Sequence, residues 1–315
     1  MASFFLWITT ALLWASTGLL IRAWWIIRLT SLRSAWTWQL VAWLAWSTVW
    51  TVTLVLQATS AAVADHLWYL CAVLQLCPPI AVLGSRRPGV QVWGWFILVP
   101  LIAVLGWPAW TELVWKLPGK PLALDRPAVL GFAIVTVMGA GNFLATRFWP
   151  TVLAGLIALS LVIVPLTADM PDWPVSRLAG REMAVACLLA AAWATLAGRR
   201  RSTRSECGPL DDWNSLWEDF RSLFGFVWAS RVAERVNMSA HNERWSTRLQ
   251  VDGFVRAPAA EGQLTAEETR TRVDFTLRWI LRRFVDVEWI DQRIKVFPPP
   301  PPDLPLDTAP VAPRK

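Results

Sequence analysis

Charged residues, histidine and tyrosine are all scarce in this chain. Only 17% of its 315 residues are charged, and it contains two histidines and one tyrosine, whereas an ordinary soluble domain is about 25% charged. So few charges exclude a simple soluble enzyme as the expected class. The net charge of +7 does not indicate a nucleic-acid partner either, because the polar part of the chain carries no basic stripe.

The scarcity of histidine and cysteine excludes most metal and redox sites. A membrane b-type haem commonly needs two axial histidines, and the topology predicted below separates His66 from His241. The four cysteines form neither a CxxC motif nor a cluster with histidine, so zinc binding and thiol redox chemistry are not indicated. Phosphate-binding glycine loops and kinase motifs are missing from the sequence as well. We therefore predict no cofactor and no metal site, and a non-enzymatic function is favoured.

Long apolar runs are what the first two thirds of the chain contain. Hydrophobic residues make up 55% of the sequence, and its mean hydropathy is +0.40. A helix needs about 20 apolar residues to cross the hydrocarbon layer of a membrane. Seven windows approach this length, at residues 1–21, 35–57, 67–84, 90–111, 128–146, 150–168 and 183–198. The sequence thus predicts a predominantly α-helical, polytopic membrane bundle over residues 1–198.

The distribution of arginine predicts the orientation of this bundle. If the N terminus lies outside, ten basic residues from Arg22 to Arg204 fall on the side of the C terminus, and five fall on the other side. Cytoplasmic loops carry the excess of positive charge in membrane proteins. We therefore expect a cell (inner) membrane protein with an external N terminus and a cytoplasmic C terminus.

Two neutral amides stand out within the apolar windows, Gln75 in the third and Asn142 in the fifth. One interpretation is that they form hydrogen bonds between helices and help the bundle to pack. The other is that they line a polar pathway for a substrate, since prolines also interrupt the third and fourth windows. The sequence leaves both interpretations open.

Tryptophan is unusually abundant, with 24 residues in the chain and 18 of them in residues 1–204. Trp36, Trp43 and Trp50 recur every seven residues, which places them on one face of the second predicted helix. This stripe fits a packing or lipid-facing surface. A surface for a flat hydrophobic molecule, such as a quinone or a polyprenyl lipid, is the alternative.

The seventh window contains a ladder of small residues, Ala186, Ala190, Ala194 and Gly198. A four-residue spacing of small side chains lets two helix backbones approach closely inside a membrane. The ladder is therefore a candidate helix–helix interface, and its partner is either another helix of the same chain or a second subunit.

After residue 198 the composition changes to that of a soluble protein. We predict a basic linker at 199–208, a small cytoplasmic α+β domain at 209–297 and a disordered proline-rich tail at 298–315. The domain is expected to contain a helix with Trp213, Trp217, Phe220 and Phe224 on one face, which are candidate partner-binding residues unless they pack on the domain itself. A hairpin around Asp252-Gly253, a helix capped by Thr265 and Glu268, and a short strand through Val285, Val287 and Trp289 should follow.

These features favour a membrane subunit, scaffold or sensor that engages a partner through its helices and its C-terminal domain. The expected partners are the lipid bilayer and either another membrane protein or a second copy of the chain. A transporter, or a protein that handles a lipid or quinone, is the alternative.

Overall fold

A computed structural model describes residues 2–86, 91–115, 121–167, 175–199, 209–258 and 261–294. Seven helices of the described chain are long and apolar enough to span a membrane, which confirms the predicted number. Their bounds are α1 Ala2–Ile27, α2 Arg33–Trp50, α3 Ala61–Leu83, α4 Gln91–Trp115, α5 Arg126–Leu144, α6 Trp149–Ile163 and α7 Arg177–Arg199.

The ends of these helices differ in places from the sequence prediction. A π-helical turn, Thr51–Val55, extends α2, and a 3-10 turn, Val164–Leu166, extends α6. The seventh helix begins at Arg177, well before the predicted Met183. Its first turns carry two arginines that the apolar window excluded, and both form ion pairs with one acid on α3, as described below.

The tryptophan stripe of α2 lies against α1. The indole nitrogens of Trp36 and Trp43 donate hydrogen bonds to the carbonyl oxygens of Leu20 and Leu13, at 2.8 and 3.0 Å. Trp50 donates to the hydroxyl of Thr10 at 2.9 Å. The stripe is therefore a packing surface between the first two helices. Hydrogen bonds to helix carbonyls and a hydroxyl satisfy the indole N–H groups where water is absent.

The middle of the bundle is α3, which contacts α2, α4, α5 and α6. Trp68, Tyr69 and Cys71 of this helix are buried in one apolar core with residues of α2, α6 and α7. The helix continues through Pro78 and Pro79, and α4 likewise continues through its two prolines. Neighbouring helices commonly satisfy the backbone groups that proline frees in a membrane helix.

The C-terminal module, residues 209–294, contains the helix α8, a hairpin and two further helices. Their bounds are α8 Pro209–Asn242, β1 Thr247–Gln250, β2 Gly253–Arg256, α9 Ala266–Leu281 and α10 Val287–Asp291. The strands pair antiparallel with Gln250 opposite Gly253, and Thr265 and Glu268 cap α9 reciprocally. The predicted hairpin and capping box are confirmed.

The predicted strand at residues 285–289 is wrong. Residues Val287–Asp291 form the helix α10, and Val285 makes only an isolated bridge to Thr30. Trp289 and its neighbour Ile290 are both buried, whereas consecutive side chains of a strand would point to opposite faces. Asp286 at the N-cap position favours the helix, because aspartate is a preferred N-cap residue.

The module is seated directly on one end of the bundle. The backbone N–H of Ser31 donates to the carbonyl of Phe284, and that of Asp286 donates to the carbonyl of Leu29, both at 2.7 Å. An apolar core that includes Leu32, Ala81 and Val82 of the bundle continues into the module. Apolar contacts thus connect the two regions that the sequence analysis separates, the bundle up to residue 198 and the domain from residue 209. Residues 200–208 of the predicted linker and the tail at 298–315 lie outside the described residues.

Candidate functional site

The junction between bundle and module is organised around a break in α8. Gly225 has φ 77° and ψ −179°, a conformation that residues with a Cβ atom rarely adopt. At the break, neighbouring backbone groups lose their helical hydrogen bonds, and the side chain of Asn142 on α5 supplies replacements. Its side-chain Nδ2 donates to the carbonyl of Phe224 at 3.2 Å, and its Oδ1 accepts from the N–H of Val227 at 2.9 Å.

The fit between these two residues is close. A Cβ atom added to Gly225 would lie 2.2 Å from Nδ2 of Asn142, far inside van der Waals contact. The asparagine is 97% buried, with an exposed fraction of 3%. The amide that the sequence marks as polar therefore connects the fifth helix to the module.

Two further polar contacts hold the module on the bundle, and a third connects two parts of the module itself. Trp228 of α8 donates its indole N–H to the carbonyl of Val82, near the end of α3, at 3.0 Å. Asp219 forms an ion pair with Arg147, between α5 and α6, at 3.0 Å and accepts a hydrogen bond from Arg293, after α10, at 2.9 Å. One carboxylate thus links a loop of the bundle to the last part of the module.

The structure does not bring Gln75 together with Asn142. Gln75 is half-buried on α3, and its side-chain Oε1 is buried without a hydrogen-bond partner. Asn142 directs both polar atoms of its amide toward the backbone of α8. Of the two amides of the predicted polar pathway, only Gln75 has a side-chain oxygen without a hydrogen-bond partner.

The aromatic row predicted as partner-binding lies inside the module. Trp213, Trp217, Phe220 and Phe224 have exposed fractions of 4% or less. Phe220 and Phe224 stack with ring centroids 4.8 Å apart, and both contact Phe284 edge-on. These rings contact the chain's own core, so they present no free surface to a partner in this structure.

The small-residue ladder of α7 faces outward. Ala186, Ala190 and Ala194 are exposed, while Ala184, Val185 and Leu188 on the other face are buried against the bundle. The surface of Gly198, the fourth residue of the ladder, lies outside the described part of the structure. The interface with α6 therefore uses the opposite face of α7, and the ladder stays without a partner from its own chain in the described residues.

A charged cluster closes the other end of the bundle. Asp65 of α3 is buried with an exposed fraction of 2% and forms ion pairs with Arg177 and Arg181 of α7. The two arginines are four residues apart and therefore share one face of the helix. Beside them His66 donates from Nδ1 to the carbonyl of Ala62 at 2.7 Å, and its Nε2 is buried without a partner.

Within the described residues, no three His, Cys, Asp or Glu side chains lie close enough to hold a metal ion. Comparison of the chain with known proteins finds no match among protein-family models, curated proteins or solved structures.

Proposed function

We propose that the protein is a membrane subunit or scaffold that associates with a partner helix through the outward face of α7. The observation that carries this proposal is the exposed ladder of Ala186, Ala190 and Ala194. Small residues at this spacing allow a second helix to approach closely enough for van der Waals packing. Exposed leucines or valines would be the usual covering of a face that meets only lipid.

The C-terminal module is the part that such an assembly would present to the aqueous phase. It is joined to the bundle by the Asn142 contacts, the Trp228 hydrogen bond and a continuous apolar core. A module fixed in this way keeps one orientation relative to the membrane, which a scaffold or a sensor requires. Whatever binds the module is thereby coupled to the helices.

We place the module in the cytoplasm and the N terminus outside. The connections that contact the module carry Arg28, Arg33, Arg86 and Arg147, and positive loop charge marks the cytoplasmic side of a membrane protein. The cell (inner) membrane is the location that this arrangement favours.

Native mass spectrometry of the full-length protein, extracted in mild detergent from its own membrane, tests the association. We expect a stoichiometric second chain, either another polypeptide or a second copy, that is lost in Ala190→Leu. Ala103→Leu on α4 is the matched control, because Ala103 is also an exposed alanine on an apolar helix. A wild-type protein that carries no second chain would contradict the proposal, and so would equal loss in both variants.

Transport or lipid and quinone handling is the second candidate, favoured by the unpartnered Oε1 of Gln75 and Nε2 of His66. Nine residues separate them on α3, which places them on opposite faces of the helix and about 13 Å apart along it. They do not therefore form one site. Under this alternative Gln75→Leu abolishes function and a retained quinone or lipid is released, whereas the scaffold proposal expects an unchanged assembly.

A further inference from the structure

An arginine-rich cleft lies where the module meets the end of α3. Its volume is about 370 Å³, and it is bordered by Arg86 after α3, by Arg231 and Arg235 of α8, and by Arg283 after α9. Glu234 is the one carboxylate among the lining residues. The cleft therefore concentrates positive charge in a module segment whose overall composition is slightly acidic.

These arginines have no acidic ion-pair partner in the part of the chain that the structure describes. Within the described residues, no carboxylate forms an ion pair with Arg86, Arg235 or Arg283. Burial lowers the pKa of Arg283 below its ordinary value, and the positive charges of Arg86, Arg235 and Arg282 lower it further. Like charges gathered at one site repel each other, and a bound anion would relieve that repulsion.

Two of the aromatic rings that line the cleft stack on its guanidinium groups. Trp279 lies under Arg283, with the guanidinium carbon 5.1 Å from the ring centroid, and Trp228 lies under Arg231 at the same distance. Such stacking restricts the side chains of arginine while leaving their N–H groups free to donate. The fork of N–H groups on an arginine matches the oxygens of a phosphate.

We propose that this cleft binds a phosphate group, with Arg86, Arg235 and Arg283 as the donors. The phosphate of an anionic phospholipid is the source that the position favours. Arg86 lies three residues beyond the end of the membrane-spanning helix α3, and Trp228 of the cleft donates to Val82 of that helix. Basic pockets at this level of a membrane protein commonly hold lipid headgroups.

Titration of the full-length protein with short-chain phosphatidylglycerol, followed by native mass spectrometry, tests the cleft. We expect the double variant Arg235→Gln/Arg283→Gln to bind about a hundredfold more weakly, because each lost charged hydrogen bond to the phosphate costs about tenfold in affinity. The control is Arg248→Gln/Arg256→Gln, which removes the same charge from exposed positions of the hairpin. Arg86→Gln, from a different element, should weaken binding in the same direction.

Two further probes separate the sources of the phosphate. Short-chain phosphatidylcholine is uncharged overall, so its binding should not depend on the cleft arginines. Inorganic phosphate that binds as tightly as phosphatidylglycerol, with the same arginine dependence, would assign the site to a soluble phosphate compound. Equal binding by the cleft variants and the hairpin control would overturn the proposal. Ala190→Leu should leave this binding unchanged, so the site is tested independently of the association through α7.

Discussion

The two ends of the helical bundle are closed by different kinds of interaction. At one end, Asp65 pairs with Arg177 and Arg181 between α3 and α7. At the other, Asn142 forms neutral hydrogen bonds to the backbone of α8, and an apolar core runs into the C-terminal module. The first end depends on charges within a few side chains, whereas the second depends mainly on a large packed surface, to which the ion pair of Arg147 and Asp219 adds one charged contact.

The difference indicates how each end should respond to mutation. A buried ion pair fails completely when one partner is removed, because the remaining charge stays in a poorly solvated place. A junction made from packing and several hydrogen bonds loses stability in smaller steps, except where backbone geometry itself is at stake. Single substitutions at the module end are therefore expected to lower the free energy of unfolding only slightly, except at the break in α8.

The largest expected effect is at the charged end. Asp65→Asn leaves Arg181, which has an exposed fraction of 9%, without a counter-charge, and breaking a buried pair in this way costs about 3–5 kcal/mol. Arg177→Gln is the control, since Arg177 is more exposed and its loss leaves one acid facing one base. Unfolding in detergent, followed by far-UV circular dichroism, should separate the two variants. Equal stability of both would show that the cluster does not hold this end together.

An effect of similar or slightly smaller size is expected at the break in α8. Gly225→Ala forces a side chain into a conformation that favours glycine, at a cost of about 1–3 kcal/mol. It also displaces Asn142, so about 1 kcal/mol is lost for each of its two hydrogen bonds.

Gly141→Ala is the matched control for this change. Gly141 precedes Asn142 on α5, and a Cβ atom there would meet nothing within 4 Å. Alanine is the better helix former, so this variant should be neutral or slightly more stable. If both glycine variants unfold like the wild type in detergent, the hydrogen bonds between Asn142 and the backbone of α8 do not stabilise the junction.

The tryptophans of α2, between the two ends of the bundle, allow a test with a smaller expected effect. Trp50 and Trp46 of α2 are both fully buried, but only Trp50 has a partner for its indole N–H, the hydroxyl of Thr10. Replacement by phenylalanine removes a similar volume at each position. We expect Trp50→Phe to be less stable than Trp46→Phe by about 1 kcal/mol, the net value of one hydrogen bond. The reverse order in detergent unfolding would mean that ring volume decides both effects.

The number of helices long and apolar enough to span a membrane, the hairpin and the capping box follow from local sequence patterns, and the structure confirms them. Hydropathy windows detect these helices because each one is apolar over its own length. The ion pair of Asp65 was not predicted, because its partners are more than a hundred positions away and lie outside the apolar window of α7. A pair of arginines four residues apart before that window was the available clue.

The arginine cleft and the role of Asn142 were hidden for a related reason. Summed over residues 205–315 the charge is slightly negative, which conceals the three cleft arginines of the module, and the fourth, Arg86, comes from the distant end of α3. Asn142 was identified as a polar residue in an apolar helix, but its partner is the backbone beside Gly225, and the sequence does not show which backbone groups lack a helical bond. Contacts between distant segments were the part that local patterns could not supply.

The smallest expected effect concerns a site far from both ends, the cap of α9. Hydrogen bonds from the hydroxyl and backbone N–H of Thr265 hold the pKa of Glu268 below its ordinary value. A lowered carboxyl pKa means that the ionised form stabilises the fold above the pKa of the unfolded chain, and that this contribution is lost as the pH falls through the folded value. Glu268→Ala should therefore destabilise the protein at neutral pH and match the wild type in acid.

Glu267→Ala provides the comparison for the cap, because Glu267 is acidic, exposed and in the same first turn but makes no capping bond. Its pH profile should follow that of the wild type more closely. Urea unfolding in detergent at a series of pH values measures both. Since the core of the module continues into the bundle, the loss of the cap should shift a transition that α1 to α7 share. A separate transition for the module alone would show that the junction does not couple the two regions.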